Sequence, residues 1–230
     1  MKLNKIFTAG GRRIRLTSDT WVLEQNAAGR AIAVAISDEP LSGACSLAIG
    51  YDDQLERWFT GYITGSVQLD RHQQRLTISE TSAVLAKRWT VSRRNVAAVD
   101  VLRDLGTAAG VGLNTGAGAD WLERLTPHFV NMGTGYDLLD AFGRIYRIPD
   151  YCWIPQADGS IYVGNYFDAA ASKKILAISE SFFTELSATG AGCAVVTTFR
   201  PGCRIRIGNS EALRLHQVTL TGNNMRINFA

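Results

Sequence analysis

Residues 58–69 alternate without interruption between two kinds of position. Phe59, Gly61, Ile63, Gly65, Val67 and Leu69 fall on one face, and Trp58, Thr60, Tyr62, Thr64, Ser66 and Gln68 on the other. A period of two in a run rich in aromatic and β-branched residues predicts a long half-buried strand with the first set inward. Gly61 and Gly65 on that inward face leave room for tight curvature or close backbone approach, as a small barrel needs. Shorter alternating runs surround it. Residues 12–17 place Ile14 and Leu16 inward, a second segment starts at Trp21, and residues 31–36 put Ile32, Val34 and Ile36 on one face. Residues 45–50 and 74–79 follow, the latter with Leu76 and Ile78 inward. Asn26-Ala27-Ala28-Gly29 and Asp52-Asp53 read as turns. Short strands at this spacing predict an antiparallel barrel or sandwich over residues 1–80.

The period then lengthens. Residues 81–88 suit a short helix, and Asn95 is placed to cap a longer one. In that helix Val96, Val99, Leu102, Leu105 and Ala109 recur at helical spacing, and Gly110 ends it. Residues 110–118, rich in glycine, read as a flexible connector. A third helix opens at Thr134, with Asp137 set for a capping box and Leu138, Leu139, Phe142, Ile145 and Tyr146 on its apolar side. Pro149 follows its end. A hairpin comes next, Cys152-Trp153-Ile154 and Ile161-Tyr162-Val163 about an Asp158-Gly159 turn. Residues 81–172 therefore form an α+β insertion.

Alternation returns in residues 173–230, which predict a second barrel. Residues 194–199 lead as a strand into the turn Arg200-Pro201-Gly202. Cys203, Ile205 and Ile207 point one way, Arg204 and Arg206 the other. Leu213 and Leu215 are out of phase with Val218 and Leu220, which predicts a β-bulge near His216-Gln217. After the Gly222-Asn223-Asn224 turn, Met225, Ile227 and Phe229 close the barrel. The fold class is mainly β with an α+β insertion: two small antiparallel β-barrels flank a helix-containing middle region.

Leu47-Ala48-Ile49-Gly50, an acidic turn and Phe59-Thr60-Gly61-Tyr62-Ile63 together resemble the first barrel of phage baseplate hub proteins. These are the gene-27-like tail proteins, related to the late-control and spike-base proteins of contractile systems. Phe199-Arg200-Pro201-Gly202-Cys203-Arg204-Ile205-Arg206-Ile207 and residues 215–229, with a Gly-Asn turn followed by Met225, resemble the closing barrel of the same proteins. The resemblance implies a structural virion protein of the tail tip or baseplate, assembled in the host cytoplasm. It implies a homotrimer whose six barrels adapt a six-fold tail tube to a three-fold tip and line the conduit for DNA ejection. The implied partners are the tail tube or distal tail protein, the tape-measure protein and central tip, spike or fibre proteins, with DNA only in passage and no membrane insertion. Uncharged outer positions such as Thr60, Thr64, Ser66 and Gln68 suit packing between subunits, since interface cores are depleted of charge.

Charge and chemistry alter this picture little. Of 230 residues, 24 are Lys or Arg and 21 Asp or Glu, a surplus too small for a dedicated nucleic-acid binder. No apolar run approaches the ~20 residues of a membrane span, and the start lacks a signal-peptide core, so the product is expected to stay where it is made. Cys45, Cys152, Cys193 and Cys203 are scattered without a Cys-x-x-Cys pair and read as buried free thiols rather than metal ligands. His72, His128 and His216 have no partner at ligand spacing. Neither a Gly-x-Ser-x-Gly elbow nor a phosphate-binding glycine loop is present. No catalytic, cofactor-binding or metal residue is assigned and no cofactor is expected. Two alternatives have sequence features of their own. Carboxylate pairs, Asp52-Asp53 and Glu180 with Glu185, would serve a tail-associated peptidoglycan hydrolase. Trp58, Trp121 and Trp153 would serve a carbohydrate-binding β-rich module. The basic segment from Lys87-Arg88 to Arg93-Arg94 reads as a solvated loop or a contact for a protein neighbour.

Overall fold

The computed structural model describes residues 2–52 and 54–229. Six strands open the chain: β1 (Leu3–Ala9), β2 (Arg12–Glu24), β3 (Arg30–Ile36), β4 (Gly43–Tyr51), β5 (Gln54–Gln68) and β6 (Gln73–Glu80). They pair in the order β1-β4-β5-β6-β3-β2, and β1 pairs again with β2, from Phe7 opposite Ile14 to Ala9 opposite Arg12, so the barrel closes. A large Trp21 can fill its interior because the facing positions on β3 are small. Ala31, Ala33 and Ala35 point inward, and Trp21 meets Phe59 edge-on at 4.9 Å and Phe7 at 5.9 Å. Ile32 is consequently 58% exposed and shares the outer face of β3 with Ile36.

Bulges reset the alternation in several strands. In β2 the register shifts between Leu16 and Ser18, so Ile14 and Leu16 face the core before the shift and Asp19, Trp21 and Leu23 after it. What reads as two segments is one bent strand. In β5 the register shifts between Ile63 and Gly65. Phe59, Gly61 and Ile63 are inward as their spacing predicts, but beyond the shift Ser66 turns toward buried Gln74 and Val67 is 63% exposed. Gly61 earns its place: a Cβ there would collide with the Ser79 carbonyl oxygen, whereas Gly65 has room for one. The expected bulge in the last segment is present, between Leu215 and Gln217. Asp52 takes a left-handed φ of 54° at the β4–β5 turn, and its expected partner Asp53 lies outside the described residues.

After a 3₁₀ turn (Thr81–Ala86) the middle region contains β7 (Val91–Ala97), α1 (Ala98–Ala109), β8 (Leu113–Asn114), β9 (Leu125–Asn131), α2 (Gly135–Ile145), β10 (Tyr151–Pro155) and β11 (Ile161–Asn165). Thr134 and Asp137 form the expected capping box on α2, and Gly110 ends α1 in the left-handed conformation. Asn95 does not cap α1. It sits inside β7 at φ 46°, opposite Pro127 where the β7–β9 ladder lapses, and the N-cap is Ala97. Residues 113–114 of the expected connector pair in parallel with β11. Phe129, Leu138, Leu139, Phe142, Tyr146 and Trp153 make this region's own core.

A 3₁₀ turn (Tyr166–Asp168) and α3 (Ala170–Lys173) lead to β12 (Ile175–Ile178), β13 (Phe183–Leu186), β14 (Gly190–Ala194), β15 (Arg204–Ile207), β16 (Leu213–Thr221) and β17 (Asn224–Phe229). These pair in the order β12-β15-β16-β17-β14-β13, with β12–β15 parallel. The strand expected at residues 194–199 ends at Ala194, and the chain then turns toward Arg200. β16 also pairs with β2, from Gln217 opposite Glu24 to Thr221 opposite Thr20. The second sheet is thereby welded to the barrel, and one apolar cluster runs from Phe7 and Trp21 to Val218 and Ile227. The molecule is mainly β, as its alternation predicts.

Candidate functional site

Three parts of the chain meet at Arg200. Pro201 and Gly202 (φ 90°) turn the chain behind it, which aims the guanidinium back at the barrel. Its Nη2 donates to Glu80 Oε1 at 3.3 Å and to the Pro155 carbonyl at 3.2 Å; its Nη1 donates to the Trp58 carbonyl. The guanidinium also lies 5.9 Å from the Trp58 ring centre, and Trp58 Nε1 donates to the Phe199 carbonyl at 3.2 Å. Glu80, at the end of β6, accepts a second bond from the Gly29 N–H at 2.8 Å. Burial pushes the Glu80 carboxyl above its ordinary pKa, against the opposing pull of Arg200 and the Gly29 N–H. The same burial pushes the Arg200 guanidinium down. A charge pair this enclosed contributes geometry more than net stability, because desolvation offsets much of its attraction. The barrel, the β10 strand and the second sheet are locked at one point.

A second joint is made by Asn26, left-handed at φ 57°. Its N–H donates to the Trp153 carbonyl and its Oδ1 accepts from the Trp153 N–H, so the β2–β3 turn caps the outer edge of β10. At the barrel mouth Lys5 donates to both Asp19 oxygens, at 2.6 and 2.7 Å, and to the Gly222 carbonyl, while Trp21 Nε1 donates to Asp19.

The residues singled out for chemistry do not converge. His72 is in an exposed turn against Asp38, His128 projects from β9 and His216 occupies the β16 bulge. Glu180 lies in a 3₁₀ turn and Glu185 on β13, both exposed, and Asp52 is at a turn in the barrel. Among the described residues no group of His, Cys, Asp and Glu is arranged to hold a metal. All four cysteines are free and buried, with thiols pushed up to about 12 for Cys45 and Cys152 and about 11 for Cys193 by desolvation. The tryptophans offer no sugar platform. Trp58, Trp121 and Trp153 are at most 3% exposed, and Trp153 Nε1 is spent on Asp140. Arg93 and Arg94 belong to strand β7 rather than a loop, and Arg93 pairs with Asp104 of α1 at 2.8 Å.

What the fold does present is surface. Thr60 is not available for it, since its hydroxyl donates to the Ala157 carbonyl, and Ser66 faces inward. Across the weld, however, strand partners line up as Ala194, Asn224, Thr221, Thr20, Ile32, Thr77 and Gly65. Every one is uncharged; Thr20 and Gly65 are partly buried, the other five are exposed, and together they cross both β units. Sequence reasoning missed this row because neither the β2–β16 pairing nor the bulges that set its phase are local.

No protein-family model matches the chain. It is 26% identical over 224 residues to an uncharacterised 58.7 kDa protein of Haemophilus phage HP1, covering 97% of this chain and 41% of that protein. The chain thus spans about two fifths of the length of that curated relative. Among solved structures, the 43 kDa tail protein of prophage MuSo2 from Shewanella oneidensis superposes with a TM-score of 0.75 at 9% identity, covering 100% of this chain and 97% of that one. A tail protein from Neisseria meningitidis MC58 gives 0.70 at 11% identity, with 100% and 96% covered. A component of the Escherichia coli type VI secretion system, described as structurally similar to T4 tail proteins gp27 and gp5, gives 0.59 at 9%, with 97% and 76% covered. The fold is that of phage tail proteins, and the resemblance carried by the two barrel motifs holds at that level.

Proposed function

We propose that this chain is a non-enzymatic structural component of a phage tail, placed at the tail tip or baseplate. The observation that carries the reading is the weld: a closed barrel joined strand to strand with a second six-stranded sheet, in a fold shared along its whole length with two phage tail proteins. Three copies would set six β units around one axis, adapt a six-fold tube to a three-fold tip and line the conduit for DNA. The division into residues 1–80, 81–172 and 173–230 belongs to the same reading, the outer pieces forming the ring and the middle piece decorating it. Tail tube or distal tail protein, tape-measure protein and central tip or spike proteins are its expected neighbours.

The uncharged row from Ala194 to Gly65 is the surface best suited to a neighbouring subunit. Burying it costs no charge desolvation, and interface cores are depleted of charged residues. Labelling the protein in intact particles and imaging tail tips by electron microscopy tests the assignment. Density at the tip with three copies per particle is expected; a protein absent from particles, or one that cleaves peptidoglycan in a turnover assay, overturns it.

A further inference from the structure

Arg204 on β15 and Arg214 on β16 stand directly opposite each other in the antiparallel ladder. Like charges so placed repel. Each is held by an aromatic ring instead of a carboxylate: Arg214 lies 3.3 Å from the centre of Tyr166 and Arg204 5.7 Å from that of Phe167. Those rings are fixed in turn. The Phe167 N–H donates to the Asn165 side chain, the Tyr166 hydroxyl donates to the Gly202 carbonyl at 2.8 Å, and the Ser172 hydroxyl donates to the Tyr166 carbonyl. With Ala212 these four side chains surround a cleft of about 280 Å³.

Among the described residues no ion pair uses Arg204 or Arg214, although Asp168 and Glu211 are near in sequence. Exposed Lys173 and Lys174 add positive charge just ahead of Ile175, the β12 partner of Arg204. Apart from the contact of Arg214 with the Tyr166 hydroxyl, stacking leaves guanidinium N–H groups to donate outward, and two such forks side by side match an oxyanion.

We propose that this cleft binds a carboxylate side chain of a neighbouring protein, carried beside an apolar residue that covers Phe167, itself 50% exposed. The size of the cleft suits one side chain, and its rim of Phe167 and Ala212 favours an acidic–apolar peptide over a nucleic-acid backbone. In the tail reading, on which the partner's identity rests, that neighbour is another tail protein.

The test is calorimetric titration of the purified chain with an acetylated Phe-Glu-Leu-Glu peptide, its Gln counterpart, and a short single-stranded oligonucleotide. Saturable binding of the Glu peptide is expected. It should weaken at least about tenfold in Arg214→Gln and in Arg204→Gln, be recovered poorly by Arg214→Lys, and vanish for the Gln peptide. Thermal melts identify a variant that fails to fold, and the other variant then carries the comparison. Absent binding, wild-type affinity retained in both Arg→Gln variants, or tighter binding of the oligonucleotide overturns the proposal. If the peptide binds but the protein is missing from particles, the tail reading falls and the cleft stands. If the protein is at tail tips and no peptide binds, the reverse holds.

Discussion

At the scale of single residues, a few buried polar groups hold separate parts of the fold together. Glu80 is the clearest case. Removing its side chain leaves Arg200 buried without its counter-charge, so Glu80→Ala should destabilise the fold by about 3–5 kcal/mol, read from urea unfolding. The pH dependence has a definite sign. Burial holds the folded Glu80 pKa above its unfolded value, so folding favours the proton-bound form. That contribution is present below the ordinary carboxylate pKa and lost as pH rises through the folded value. Wild type should therefore lose stability relative to Glu80→Gln as pH is raised from about 4 to 8; a gap that stays constant contradicts this. The cysteines give a second expectation. With thiols raised to about 12 or 11 by burial, Cys45, Cys152 and Cys193 should resist a thiol reagent at neutral pH in the folded protein and react at once in denaturant. Burial of the cysteines was legible from their scatter and lack of ligand spacing. The role of Arg200 was not, because its three partners lie 142, 120 and 45 residues away in the chain.

At the scale of elements, sequence period located strands well where the ladder is regular and misjudged faces where it is not. Leu76 and Ile78 on β6 and Ile205 and Ile207 on β15 face inward as alternation requires. Val67 does not, because one bulge reverses the phase for every residue beyond it. The bulge at His216 was readable for the same reason: apolar residues on both sides of it change parity. Strands β7 and β9 escaped notice because they pair with each other across α1, and their short exposed faces carry Arg94, His128 and Val130. Topology sharpens the consequence of losing β17. This strand lies between β16 and β14, so ending the chain at Gly222 detaches β14 and β13 as well as deleting core residues Met225 and Ile227. Each such side chain is worth ~1.5–3 kcal/mol on burial, against a typical ~5–15 kcal/mol for a whole fold. The truncated chain should not give a cooperative melt, while His216→Gln, at a bulge with no ladder partner, should melt within a few degrees of wild type.

At the scale of the whole molecule, one pairing decides the shape. Joining β2 to β16 fuses a closed barrel to a second sheet, so the two β units share one core and keep a fixed angle. A rigid unit of this kind can tile around an axis, provided its sides can be covered without burying charge. The uncharged row across the weld meets that condition, and Ile32 is its largest member, exposed on a strand whose inner face is all alanine. Placing a carboxylate there should leave the interior untouched, because Ile32 contributes nothing to the barrel core, yet an unpaired charge pressed into an interface carries a heavy desolvation penalty. Ile32→Asp is therefore expected to melt like wild type and to lose self-association, read as a fall in mass from three chains to one by light scattering. The exposed variant Arg75→Asp, one strand over and outside the row, should keep the assembly. A folded Ile32→Asp protein that still forms trimers would move the subunit contact to another face of the molecule. A wild type that stays monomeric in solution and on the tail would remove the ring itself.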